Sequence, residues 1–212
     1  MRHASRLLLT ASGIHDAPPL CARLAEKWHG CQSVAIIVTA SREHKAYSKH
    51  AVATGEQFSR FGFASVDFVD VELEPAETLR GYDVVYIVGG HPYHLMHHLN
   101  RSGASDLLRQ AVSSNETFLI GSSAGAVVCG QDLRIVAAFD PDLADGYDEA
   151  LPGIGTTPFT VLPHANRWHE RFSDLETRVA DFTRQTGQTV ELLNDGAALF
   201  VASDGTITER HG

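Results

Sequence analysis

The hydrophobic positions of this chain fall into short apolar runs separated by longer stretches of mixed character. Leu7 to Thr10 opens the series, and Ser33 to Ala40 continues it with a β-branched run, Ser-Val-Ala-Ile-Ile-Val-Thr-Ala. Ser65 to Val71, Asp83 to Val88 and Phe118-Leu119-Ile120 follow; later come Val161 to His164, Thr189 to Leu193 and a run closing on Val201. Continuous rather than alternating apolar runs are what strands show when both faces of a parallel sheet are covered. The stretches between them read as helices. Pro18 and Pro19 open one that runs to about Trp28, and others are expected over Arg42 to Phe61, Tyr93 to Asn100, Ala104 to Ser113 and Asn166 to Val179. This alternation predicts an α/β fold, a mostly parallel sheet with helices on both faces. No repeat, low-complexity tract or linker interrupts it, so residues 1–212 read as a single domain.

Two of the strands end in glycines. Phe118-Leu119-Ile120 runs into Gly121-Ser122-Ser123-Ala124-Gly125 and then into a second apolar run with helical character. That is the strand–turn–helix setting of a G-x-S-x-G nucleophile elbow, in which small neighbours let Ser123 occupy a strained turn at a helix N-terminus. Asp83 to Val88 ends in Gly89-Gly90-His91-Pro92, about one βα unit upstream, which brings both strand ends to the same sheet edge. Backbone N–H groups at Gly90 and at Ala124, the residue after the serine, are candidates for an oxyanion hole.

A serine nucleophile needs a base. His164 follows the run Val161-Leu162-Pro163 and so stands at a strand end. The histidines of Gly90-His-Pro-Tyr-His-Leu-Met-His-His are a second group. His94, His97 and His98 have i, i+3, i+4 spacing, but no carboxylate lies close in sequence; they read as surface residues of a solvated helix, with no metal assigned. His15, His29, His44, His50 and His169 have no supporting context. A carboxylate is expected to orient the base. Asp195, in the turn Asn194-Asp195-Gly196, competes for that place with Asp140, Asp142, Asp145, Asp148 and Glu149; an Asn-Asp-Gly turn is also an ordinary hairpin.

Composition narrows the classes. A formal net charge of -9 argues against a nucleic-acid binder. No apolar run approaches a membrane span, and the first one is too short for a signal peptide. Cys21, Cys31 and Cys129 have neither metal-ligand spacing nor an even number for a disulfide framework, which suits a reducing cytoplasm. Cys129, within an apolar helical run, reads as a small core residue.

The Gly-Gly segment, the Gly-Ser-Ser-Ala-Gly-Ala elbow, the Pro-His pair and the late acidic-Gly turn together resemble the dipeptidase E (alpha-aspartyl dipeptidase) family of serine peptidases. Cyanophycinase is a related branch, and the resemblance extends over most of the chain. It implies a class I glutamine amidotransferase-like three-layer sandwich and a triad in the order serine, histidine, acid. By position these are Ser123, His164 and Asp195, with Gly90 and Ala124 at the oxyanion. Where the family often has Pro-Glu-Gly, this chain has Asn194-Asp195-Gly196. The implied substrate is a short peptide with N-terminal aspartate, which Gly89, His91, Arg167 and Arg171 are placed to contact, without a cofactor. The implied enzyme is a monomer or homodimer. His91-Pro92-Tyr93 replaces the Asn-Thr that many members carry after Gly-Gly, a departure that bears on specificity. Two other readings follow from the residues: an esterase with the acid before the histidine, from Asp140 or Asp145, and a non-catalytic binding protein on the same scaffold.

Overall fold

The computed structural model describes residues 5–14, 18–28, 30–148 and 151–212, so His15, His29 and Glu149 lie outside the described residues. In chain order the elements are β1 (Ser5–Thr10), α1 (Pro18–Lys27), β2 (Ser33–Ile37), α2 (Lys49–Arg60), β3 (Ser65–Val69) and β4 (Val84–Ile87). Then come α3 (Pro92–Ser102), α4 (Ala104–Ser113), β5 (Phe118–Ser122), α5 (Ala124–Cys129), α6 (Arg134–Ala137), β6 (Thr160–Pro163) and α7 (Ala165–Arg171). The chain closes with α8 (Leu175–Thr186), β7 (Val190–Leu193), β8 (Ala198–Ala202) and β9 (Ile207–His211).

Seven strands form one sheet in the order β3-β2-β4-β5-β1-β8-β9. The first five are mutually parallel, and β8 and β9 extend the sheet antiparallel. Successive side chains of a strand point to opposite faces, and in β1, β2, β4 and β5 the apolar side chains of both faces are buried. Trp28, just past α1, meets Phe58 of α2 with ring centroids 5.2 Å apart, and Phe118 of β5 at 6.0 Å. As a second group, α3 packs on both α4 and α5, and α4 and α5 pack on β5. Cys129 is fully buried in that group, and burial pushes its thiol up to about 12. No helix among the described residues is long and apolar enough to cross a membrane.

Several expected boundaries move. The helix expected from Arg42 begins only at Lys49, where the Ser48 side chain accepts from Ala51 N–H and caps it. The expected helix Asn166–Val179 is two helices. Phe172 is extended between them (φ -129°, ψ 107°), its ring held by Phe139 and Trp168. The largest change concerns β7. It joins β6 in a separate two-stranded parallel sheet, whereas β8 lies beside β1. The Asn194-Asp195-Gly196 turn therefore connects two sheets and is not a hairpin turn.

The start of β2 is tied to β4 by one carboxylate. Asp83 accepts from Gln32 N–H (2.7 Å), Ser33 N–H (3.0 Å) and Ser33 Oγ (3.1 Å). The Gln32 and Ser33 bonds outweigh partial burial and hold its carboxyl below the usual aspartate value. A lowered folded-state pKa contributes stability above the unfolded pKa and loses it as pH falls through the folded one. Asp83→Ala is therefore expected to lower the urea-unfolding free energy by about 1–2 kcal/mol at pH 7. The gap to the parent should narrow on titration below pH ~4, the ordinary aspartate range; a gap constant with pH would contradict the assignment.

Candidate active site

The site begins with two glycines that let a helix follow a strand almost without a gap. A Cβ at Gly121 would lie 2.5 Å from Gly125 O, and one at Gly125 would lie 2.4 Å from Ile87 O. Neither position has room for a side chain, so α5 starts directly against β4 and β5. Ser123 takes the strain of that turn, with φ 51° and ψ -114°. A β-carbon residue with positive φ at this ψ costs roughly 1–3 kcal/mol and persists only where surrounding bonds enforce it. Here Ser123 N–H donates to Thr10 O (2.9 Å), and Ser123 O accepts from Ala126 and Val127 N–H (2.8 and 3.0 Å). β4 lies beside β5 in parallel register, so Gly89 and Gly90 come to the same edge. Gly90 has φ 148°, and a Cβ there would sit 2.2 Å from Ala40 O; one at Gly89 would sit 2.9 Å from the Ser123 Cβ.

The second half of the site comes from the small sheet. Pro163 of β6 is paired with Leu193 of β7. The residues just beyond, His164 and Asp195, are thereby carried to one place although 31 positions separate them. His164 adopts a left-handed conformation (φ 60°, ψ 35°) that turns the chain into α7. Its Nε2 lies 2.9 Å from Ser123 Oγ, and its Nδ1 lies 2.6 Å from Asp195 Oδ1. The carboxylate is held in turn. Asp195 Oδ2 accepts from Arg167 Nε (2.6 Å) and Asn166 Nδ2 (3.2 Å), and Asn166 Oδ1 accepts from Asp195 N–H (2.8 Å). Partial burial raises the Asp195 carboxyl, but the bonds from His164, Arg167 and Asn166 outweigh it and hold the group below its ordinary value. The carboxylate thus stays ionised through the neutral range. An acceptor on Nδ1 fixes that ring nitrogen as the N–H and leaves Nε2 a lone pair toward the serine.

Ser123 stands between two cavities. One, of about 630 Å³, is lined by Ser12, His44, Lys49, His50, Gly89, Gly90, Ser123, His164 and Arg167 among others. The other, about 140 Å³, is mainly apolar, with Pro92, Val127, Val136, Leu143 and Trp168 beside Gly90, Ala124 and Ser123. Of the residues expected at the site, Ser123, His164, Asp195, Gly89, Gly90, Ala124 and Arg167 are brought together. The other two are occupied elsewhere. Arg171 is exposed and lies against the rings of Trp168 and Phe172 (5.9 and 5.3 Å). His91 caps α3, its Nδ1 accepting from His94 N–H at 3.2 Å, with its ring against Tyr147.

Three features were missed. Asn166, two residues after His164, holds Asp195 from both sides; its only signal was that spacing. His44, Lys49 and His50 line the larger cavity from a segment that had been read as the interior of one long helix. Lys49 is exposed and has no ion-pair partner among the described residues. The histidines of α3 are not on a solvated face either, since His94 and His98 are buried and only His97 is exposed.

Comparison with known proteins identifies relatives of the whole chain. The family described as Peptidase family S51 matches residues 7–209. An uncharacterised peptidase of Listeria innocua, Lin0382, is 27% identical over 211 residues, covering 95% of each chain. Peptidase E of Shewanella sp. (strain ANA-3) is 24% identical over 93% of this chain and 84% of its own. Among solved structures, a candidate Peptidase E protein of Listeria monocytogenes EGD-e superposes with TM-score 0.77 at 22% identity, covering 99% of this chain and 100% of that one. A peptidase from an acI-B1 Actinobacterium gives TM-score 0.63 at 19% identity over 91% and 81%. Both share the α/β fold with its mostly parallel sheet.

Proposed function

We propose, for a chain that belongs to peptidase family S51 and is accordingly a serine peptidase, that it hydrolyses short peptides through an acyl-enzyme on Ser123. The observation that carries this reading is the unbroken chain Ser123 Oγ–His164 Nε2–His164 Nδ1–Asp195 Oδ1, at 2.9 and 2.6 Å. His164 takes the serine proton as Oγ attacks the scissile carbonyl and returns it to the leaving amine. Asp195 holds the imidazole and balances its charge when protonated. The N–H groups of Gly90 and Ala124 face the developing oxyanion. Water then attacks the ester, with His164 again the base.

The two cavities divide the substrate. The larger, with Lys49, His44 and His50, suits an acyl residue bearing a carboxylate, an N-terminal aspartate in the first instance. In this reading Lys49 supplies the cation that sequence assigned to Arg167 and Arg171, because the Arg167 guanidinium is engaged by Asp195. The apolar cavity takes the leaving residue.

A panel of dipeptide amides with N-terminal Asp, Glu, Asn, Leu and Arg tests the proposal. The Asp member is expected to be cleaved fastest, and Lys49→Met to erase at least about tenfold of its advantage over Leu, the scale of one charge-assisted contact. Faster cleavage of another member retires the aspartyl assignment. Absence of Ser123-dependent cleavage across the panel retires the peptidase mechanism.

A further inference from the structure

A second cluster of chemistry-bearing side chains lies outside the triad. His94 and His98, one turn apart on α3, direct their Nε2 atoms at Glu72, which follows β3 in the sequence. The distances are 3.4 Å from His94 Nε2 to Glu72 Oε2 and 3.8 Å from His98 Nε2 to Glu72 Oε1. Among the described residues this is the one grouping of three metal-ligating side chains, with a ligand atom from each within 4.8 Å of the others. Glu72 is the carboxylate that sequence could not supply, since 21 residues of chain lie between it and His94.

We propose that Glu72, His94 and His98 form a binding site for a single first-row divalent transition-metal ion of the Zn²⁺ or Co²⁺ class. Two imidazoles and a carboxylate are ligands such ions accept, and three protein ligands leave a position for water. At metal–ligand distances of about 2.0–2.1 Å, tetrahedral ligand atoms stand roughly 3.4 Å apart. The His94 pair with Glu72 Oε2 has that spacing at 3.4 Å, the His98 pair with the other carboxylate oxygen stands at 3.8 Å, and no two of the three ligand atoms need to close in from more than 4.8 Å.

A separate observation points the same way. His94 is 8% exposed, and its Nε2 is buried without a hydrogen-bond partner. Its Nδ1 lies 3.0 Å from Tyr147 Oη. With the ring proton on Nδ1 and donated to Tyr147, Nε2 turns a lone pair toward the Glu72 carboxylate, two acceptors facing one gap. That is the outer-shell arrangement which orients histidine ligands in metal sites.

Lys45 is the competitor. Its ammonium contacts Glu72 and lies 3.0 Å from Asp70 Oδ2. An ion entering the site displaces it from Glu72, and Asp70, which also accepts from Thr39 Oγ1 at 2.7 Å, remains as its partner.

The test is a titration of tag-free full-length protein with Co²⁺, read by visible absorption and by calorimetry. The expected result is one ion per chain with the intense bands of a four-coordinate site. His98→Ala and Glu72→Gln should each weaken binding at least about 100-fold, more than loss of an outer-shell partner costs. His97→Ala, an exposed neighbour on the same helix, should leave it unchanged. Lys45→Met should tighten it by about tenfold, the effect of removing a unit charge near the ligand. Zn²⁺ should raise the melting temperature of the parent but not that of Glu72→Gln, whose half-exposed position lets it fold. No stoichiometric Co²⁺ binding by the parent overturns the proposal, as does binding that Glu72→Gln leaves intact or that His97→Ala abolishes.

Discussion

Ser123→Ala is expected to reduce kcat for the best peptide of the panel by a factor on the order of 10⁶, the loss seen when the nucleophile of a serine peptidase is removed. The magnitude follows from what remains. The oxyanion donors and the substrate cavities are untouched, so binding survives while covalent catalysis does not. KM or an inhibition constant for the uncleaved peptide should therefore stay within a few-fold of the parent. Stability separates this residue from a structural one. Ser123 sits at φ 51°, ψ -114° because the chain must turn from β5 into α5 within one residue. Alanine carries the same Cβ and the same strain, so Ser123→Ala should melt close to the parent. Ser123→Gly removes the strain of roughly 1–3 kcal/mol at an entropic cost of about 0.5–1 kcal/mol. The glycine variant should be inactive and yet more stable by about 1 kcal/mol, a rise in Tm of about 2–4 °C for a chain of this size. Calorimetric melts alongside the kinetics check both halves. Hydrolysis within tenfold of the parent in Ser123→Ala would remove the nucleophile assignment. A lower Tm for Ser123→Gly would show that the turn is not strained.

What sequence could show about this molecule was set by how local the cause of each feature is. Four of the five parallel strands, β1, β2, β4 and β5, were legible because each is buried on both faces, and burial on both faces leaves a continuous apolar run; β3, at the sheet edge, is partly exposed. The elbow was legible because the contact that excludes side chains at Gly121 and Gly125 is made within five residues and against the adjoining strand. His164 stood at a strand end for the same kind of reason. Asp195 was ambiguous because its partner is supplied by a pairing, β6 with β7, that two short strands do not advertise. Without that pairing, Asn194-Asp195-Gly196 is indistinguishable from a hairpin turn. The charged residues were the hardest. Arg167 is near His164 in sequence, yet its guanidinium goes to Asp195. Lys49 and His50 reach the cavity because Ser48 starts α2 late and leaves residues 41–48 as turns and a short 3-10 helix, of which Ser41, His44 and Ser48 line the cavity. The α3 histidines looked solvated because nothing in their own helix announces that Glu72 lies over them. Side chains whose partners are remote in sequence carry no local trace of the partnership.

Asp195→Asn puts the β6–β7 arrangement to its most demanding test. The substitution keeps the size of the side chain and retains an oxygen able to accept from Arg167 and Asn166. It replaces the acceptor at His164 Nδ1 with an amide that can donate there. A donor at Nδ1 stabilises the tautomer with the proton on Nε2, and that nitrogen then cannot take the Ser123 proton. Loss of the correct tautomer in a triad of this geometry is worth about 10⁴ in kcat, so Asp195→Asn should fall by that factor with KM little altered. Arg167→Ala acts one contact further out. It removes the 2.6 Å bond to Oδ2 but leaves Asn166 and the carboxylate charge in place; a loss of about tenfold is expected, on the scale of an outer-shell partner. Asp195→Glu keeps the charge and adds one methylene, so it should recover part of what asparagine loses. Asp145→Ala supplies the contrast, because Asp145 lies in an exposed turn and an acid preceding the histidine would come from that region. Its kinetics should match the parent. If Asp195→Asn retained activity within tenfold while Asp145→Ala lost it, the orienting acid would be the earlier carboxylate. The 2.6 Å contact at His164 Nδ1 would then be structural only.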